Sequence, residues 1–96
     1  MIMNLTIKQS NSFKKTVKKL PKQYKAILDE DVRKLANAPE IGERKKGDLD
    51  FLRVHKFNLS NQEVLLAYMY KNEELVLTLL KLGTHENFYR DIKNIF

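Results

Sequence analysis

Cysteine and tryptophan are absent from this 96-residue chain, glycine occurs three times and proline twice. Without cysteine there is neither a disulfide framework nor a thiolate metal site, and two lone histidines do not make a closed zinc site. Neither a metal nor another cofactor is therefore expected. The fold has to rest on apolar packing, and a chain of this length buries about 60 to 68% of its unfolded surface, enough for one core and one domain over residues 1 to 96. No apolar run approaches the roughly 20 residues of a membrane span, and Met1 to Leu5 is too short for the apolar centre of a signal peptide. Cytoplasmic residence without membrane contact is the expectation.

Acidic side chains are missing at one end. Residues 1 to 28 carry seven lysines (Lys8, Lys14, Lys15, Lys18, Lys19, Lys22 and Lys25) and no aspartate or glutamate, within a chain of net charge +6. Such a block attracts polyanions, either nucleic acid or an acidic protein, through its field and through counterion release. The same block also reads as a solvated helix face that keeps the protein soluble.

Between these features the chain reads as alternating elements. Met3 to Lys8 has the period-two pattern of a half-buried strand, with Met3, Leu5 and Ile7 inward. Ser10-Asn11-Ser12 offers helix caps before Phe13, Val17 and Leu20, which share one helical face, and Pro21 stops this helix and opens the next. Tyr24, Ile27, Leu28, Val32, Leu35 and Ala36 continue at helical spacing to Pro39. Pro39 to Asp48 is too polar and glycine-rich for a packed element and reads as a loop. Strands are expected over Leu49 to Leu59, Val64 to Lys71 and Leu75 to Leu82, the last two joined at Asn72-Glu73-Glu74 as an antiparallel hairpin. Their nearly unbroken apolar runs predict central strands covered on both faces. Residues 85 to 95 read as a short closing helix. The order β-α-α-β-β-β-α makes an α+β domain, with an N-terminal helical hairpin packed on an antiparallel-rich sheet.

The segment after the last strand carries the densest chemistry. Gly83 releases Thr84-His85-Glu86-Asn87-Phe88-Tyr89, so a histidine and a tyrosine four residues apart follow a central strand in a basic chain, a combination suited to handling phosphate.

Taken in order, the strand, the lysine-rich helical hairpin, the basic glycine-containing loop, Leu52-Arg53-Val54-His55-Lys56-Phe57, the Val64 to Tyr70 strand and Gly83-Thr84-His85 followed by Tyr89 resemble the RelE/ParE superfamily of toxins from bacterial type II toxin-antitoxin systems. The likeness spans nearly the whole chain, and the Gly-Thr-His segment looks most like the YafQ-type branch. The resemblance implies a RelE-like fold and a metal-independent endoribonuclease (an mRNA interferase) that cuts mRNA, mostly on the ribosome, and so inhibits translation. It leaves open the ParE alternative, a toxin that poisons DNA gyrase without cutting RNA. Either implies a cognate antitoxin and an antitoxin-dependent hetero-oligomer. The lysine block or an exposed sheet edge would dock that partner.

Metal-free RNA cleavage needs a base for the 2′-hydroxyl, an acid for the departing 5′-oxygen and cations that hold the charge of five-coordinate phosphorus. By the family position, His85 is the expected general acid. Arg53 and His55, two apart on one strand, project from one face. They correspond to a basic pair in relatives, with Arg53 on the scissile phosphate and His55 as base or phosphate ligand. Tyr89 would hydrogen-bond phosphate or stack on an unpaired base. Lys45, Lys46 and Lys56 would track the RNA backbone, and Glu63 is an alternative base. One departure stands out: where many RelE-type nucleases carry an arginine early in the third sheet strand, this chain reads Glu63-Val64-Leu65-Leu66.

Overall fold

The structure, a computed structural model, describes residues 6–45, 47, 51–71 and 73–82. Met3, Leu5 and the closing helix expected over residues 85 to 95 lie outside the described residues. Among the described residues seven elements follow one another: β1 (Thr6–Gln9), α1 (Asn11–Lys18), α2 (Lys22–Asn37), β2 (Glu43–Arg44), β3 (Arg53–Leu59), β4 (Gln62–Lys71) and β5 (Glu74–Leu82). The strands form a mixed sheet in the order β1-β5-β4-β3-β2, in which β1 runs parallel to β5 and the other neighbours pair antiparallel.

Local chemistry starts α1. The Ser10 hydroxyl accepts from the Phe13 N–H at 3.1 Å, satisfying one of the four donors that a helix start leaves open. The same hydroxyl donates to the carbonyl of Thr78 on β5, so the cap also ties the helix to the sheet. Phe13 turns inward while Lys14, Lys15, Lys18 and Lys19 remain exposed. Pro21 then caps α2, a place where its missing N–H costs nothing.

Helix α2 buries Leu28, Asp31 and Leu35, spaced i, i+3, i+7. The two leucines join Phe13, Leu66, Tyr68 and Leu80 in the main core between helices and sheet. Residues Val64 to Tyr68 of β4 are each at most 4% exposed, on both sides of the strand. Their even-numbered members face the helices, whereas Leu65 and Ala67 belong to a second apolar cluster with Leu52, Val54 and Leu79. Burying each leucine stabilises by about 1.5–3 kcal/mol, which is why a continuous apolar run rather than an alternating one forms this strand.

Three expectations need correction. The segment from Pro39 to Asp48 is not all loop: Glu43 and Arg44 pair with Val54 and Arg53 to form β2 at the sheet edge. A two-residue strand with both side chains exposed leaves no hydrophobic periodicity to read. Strand β1 is not half-buried in its described part, since all four residues are exposed and Ile7 is 45% exposed. It is an edge strand, held by backbone pairing to β5 rather than by an inward apolar face. Strand β3 also begins at Arg53, later than the expected Leu49.

Candidate functional site

A groove of about 280 Å³ opens where β3 begins and β4 ends, lined by Arg44, Phe51, Arg53, Met69, Tyr70 and Lys71. It brings three cations beside two aromatic rings. Arg44 and Arg53 sit directly opposite each other across β2 and β3, and like charges so placed repel.

The position of Arg53 is fixed by a chain of contacts that begins in the core. Tyr68, fully buried, donates its hydroxyl to the Pro39 carbonyl at 2.6 Å and accepts from the Gly42 N–H at 2.9 Å. This pins the segment between α2 and β2. Its carbonyls then face the guanidinium, and Arg53 Nη1 donates to Glu40 O and Gly42 O, each at 3.1 Å. Two of the five N–H donors of the guanidinium are thus fixed while its charge is retained. Gly42 is required here on steric grounds, because a Cβ would lie 2.4 Å from the Tyr68 hydroxyl. Burial raises the pKa of that hydroxyl above the usual phenol value, with the Gly42 hydrogen bond and the Arg53 charge pulling the other way.

His55 takes a different place. Its Nε2 meets Asp31 Oδ1 of α2 at 3.1 Å, and its ring stacks on Phe57 with centroids 5.3 Å apart. The two paired side chains are 16% and 11% exposed, and His55 is not among the residues lining the groove. Arg53 and His55 lie on the helix side of β3, and only Arg53 reaches the groove. Lys56 points to the opposite sheet face and is exposed, and Lys45 Nζ lies 3.6 Å from Glu43 Oε1. Glu63 is exposed near the start of β4, where Asn58 is its cross-strand partner. His85, Tyr89 and Lys46 lie outside the described residues. Among the described residues no group of three or more histidine, aspartate or glutamate side chains is placed to hold a metal ion, and no helix is long and apolar enough to cross a membrane.

Sequence reasoning passed over Arg44, Phe51, Tyr70 and Lys71, which come from three separate stretches and meet only through the register of β2, β3 and β4. It also passed over Asp31, although a carboxylate on the apolar stripe between Leu28 and Leu35 is a signal that a buried partner awaits it.

Residues 7–93 match the family model of ParE-like toxins of type II bacterial toxin-antitoxin systems, and the chain belongs to that family. Among solved structures it is similar to the isolated E. coli RelE toxin, with 15% identity over 96% of this chain and 99% of that one, at a TM-score of 0.67. It is also similar to a chain of the E. coli RelBE toxin-antitoxin complex, with 14% identity over 79% and 93% of the two chains and a TM-score of 0.64. A chain of the archaeal RelE-RelB complex from Pyrococcus horikoshii shares 21% identity over 82% and 94%, with a TM-score of 0.55. No curated protein matches. The fold is thus RelE-like, an α+β domain of two helices on a five-stranded mixed sheet among the described residues, and the family is that of toxins of type II bacterial toxin-antitoxin systems.

Proposed function

We propose that this toxin is an mRNA-cleaving endoribonuclease that acts on the ribosome in the cytoplasm, with residues 1 to 96 forming one toxin domain. The observation that supports the reading best is the groove in which Arg53, held rigid by Glu40 and Gly42, stands with Arg44 and Lys71 beside two aromatic rings. A guanidinium that is always charged and already oriented loses little freedom when it takes a phosphate, and the developing charge on phosphorus strengthens the contact in the transition state. Arg44 and Lys71 add cations that compensate for the missing arginine at the start of β4.

In this reading Arg53 binds the phosphate, His85 donates the proton to the departing 5′-oxygen, and Tyr89 orders the RNA chain. His55, engaged by Asp31 beneath α2, positions the strand that carries Arg53. Lys45, Lys46 and Lys56 contribute to the field along the RNA backbone. The Gly83-Thr84-His85 sequence supports the YafQ-like, histidine-centred branch as the chemistry of this reading. The antitoxin lies across the lysines of α1 and the start of α2; among the described residues Lys14, Lys15, Lys18, Lys19, Lys22 and Lys25 form no ion pairs.

The family's ParE-like description favours one other reading, a gyrase poison that leaves RNA intact. Mapping transcript 5′ ends after brief expression separates the two. New ends within coding regions, lost together with growth arrest in His85→Ala while the folded circular dichroism spectrum persists, support the ribonuclease. Intact transcripts with induced DNA-damage signalling support the gyrase poison.

A further inference from the structure

Consecutive residues at the start of β3 hold different parts of the stretch from Asp31 to Glu43. His55 meets Asp31 in the body of α2, Val54 pairs with Glu43 of β2, and Arg53 is bonded to the carbonyls of Glu40 and Gly42 between them. The stretch is stiff between these points. From Asp31 the helix continues for about 9 Å to Asn37. The Ala38 N–H then donates back to Lys34 O at 2.9 Å, and the Ile41 N–H donates to Ala38 O at 3.1 Å. The carbonyls that hold Arg53 are therefore carried by the end of α2, and their place depends on where the helix lies along the strand. Leu28 and Leu35 attach α2 to the core, but hydrophobic attraction has no direction. Among the described residues the contact of Asp31 with His55 is the only side-chain hydrogen bond or ion pair that α2 makes. A buried polar pair is weak evidence for stability, since apolar side chains of the same volume often serve a fold as well. What this pair adds is direction. It sets the helix against the strand at one point, about 7 Å along β3 from Arg53 and on the same face.

We propose that Asp31 is a positioning residue: through His55 it fixes α2 on β3, and through the end of α2 it fixes the carbonyls that aim the Arg53 guanidinium. The proposal rests on the ribonuclease reading for what Arg53 binds, and adds to it the residue that keeps Arg53 in line. Asp31 itself touches no RNA. Its carboxylate acts at a distance, along a rigid helix end, and the fastening of the Pro39–Gly42 segment to Tyr68 closes the same arrangement from the core side.

The test uses the full chain carrying His85→Ala, so that RNA stays intact, at a temperature where every variant is folded. Asp31→Leu combined with His55→Phe exchanges the polar pair for an apolar one, whereas Asp31→Asn keeps an acceptor for the imidazole. The double variant should melt within about 8 °C of its parent. Nitrogen NMR of the guanidinium groups reads the restraint without RNA. Arg53 should rotate more slowly about its Cζ–Nη bonds than the exposed Arg33 in the parent and in Asp31→Asn, and should lose that slow rotation in the double variant. Affinity for a short labelled single-stranded oligoribonucleotide, read by fluorescence anisotropy, should fall by about 3- to 30-fold in the double variant and stay within about twofold in Asp31→Asn. In an Arg53→Gln background the double variant should lose nothing further, because the group it misplaces is gone. The proposal is overturned if Arg53 turns as freely as Arg33 in the parent, or if its rotation is indifferent to the double variant. It is equally overturned if the fall in affinity is as large without Arg53 as with it. A merely structural role would lower the melting temperature and leave the affinity of the folded double variant unchanged, which also overturns it. Failure of the ribonuclease reading has a different signature: the chain with His85 intact leaves transcripts whole, while the restraint on Arg53 and its dependence on Asp31 persist.

Discussion

Replacing Tyr68 by phenylalanine removes one oxygen atom and strands two backbone groups. The hydroxyl donates to Pro39 O and accepts from Gly42 N–H inside the protein, and the tyrosine itself is 0% exposed. A buried polar group left without a partner costs about 1–3 kcal/mol. Some relaxation of the Pro39–Gly42 segment is expected, so the two together come to about 2–4 kcal/mol. For a chain of this size each kcal/mol lowers the melting temperature by about 4–8 °C, so Tyr68→Phe should melt roughly 10–25 °C below the parent. Calorimetry and urea titration read this directly. A second effect follows from geometry, because the segment that Tyr68 pins supplies the two carbonyls that hold Arg53. At a temperature where the variant is still folded, RNA affinity should fall as well. The pH dependence has a defined sign. The folded pKa of Tyr68 lies above its unfolded value near 10.0, so its contribution to stability is complete below that pH and is lost as pH rises through the folded value. Tyr68→Phe should lack this particular alkaline loss. A melting temperature within about 2 °C of the parent would refute the proposed role of the hydroxyl.

The pairing of Asp31 with His55 predicts a coupling of about 1–2 kcal/mol in a double-mutant cycle with Asp31→Ala and His55→Ala, measured by urea unfolding; additive single effects would show that the contact contributes nothing. Gly42→Ala should destabilise by about 1–3 kcal/mol, because its methyl group meets the pinned Tyr68 ring, and the loss should shrink in a Tyr68→Leu background. If the lysines of α1 steer the antitoxin, its association rate should drop by at least about tenfold between low and high salt, as stopped-flow mixing would report; a salt-independent rate would remove that block from the docking surface.

What could be read from the chain was whatever its neighbours in sequence decide. Ser10 before Phe13 marks a cap, Pro21 and Pro39 bound α2, and the apolar run from Val64 to Tyr68 marks a strand buried on both sides, because each signal acts within one turn or one strand. The strand β2 escaped notice because Glu43 and Arg44 are fixed by hydrogen bonding to β3 and not by any pattern of their own. Exposure of Ile7 was likewise hidden, since alternation alone does not tell an inner strand from an edge one. At the site, Arg53 was legible as a cation on a strand, but its carbonyl anchors and the facing Arg44 depend on pairing across the sheet. The same holds for His55, whose partner lies 24 residues away on α2. The order of elements pointed to the family, whereas the groove required the register.

The parallel pairing of β1 with β5 places Thr6 against Glu74, and the Ser10 N–H donates to Leu77 O at 2.9 Å. During synthesis, then, the first strand waits with no sheet partner until almost the last strand has left the exit tunnel, and closing so wide a span is slow. A translation product that stops short of β5 leaves β1 without its neighbour in the sheet, so the two ends of the described fold are completed together.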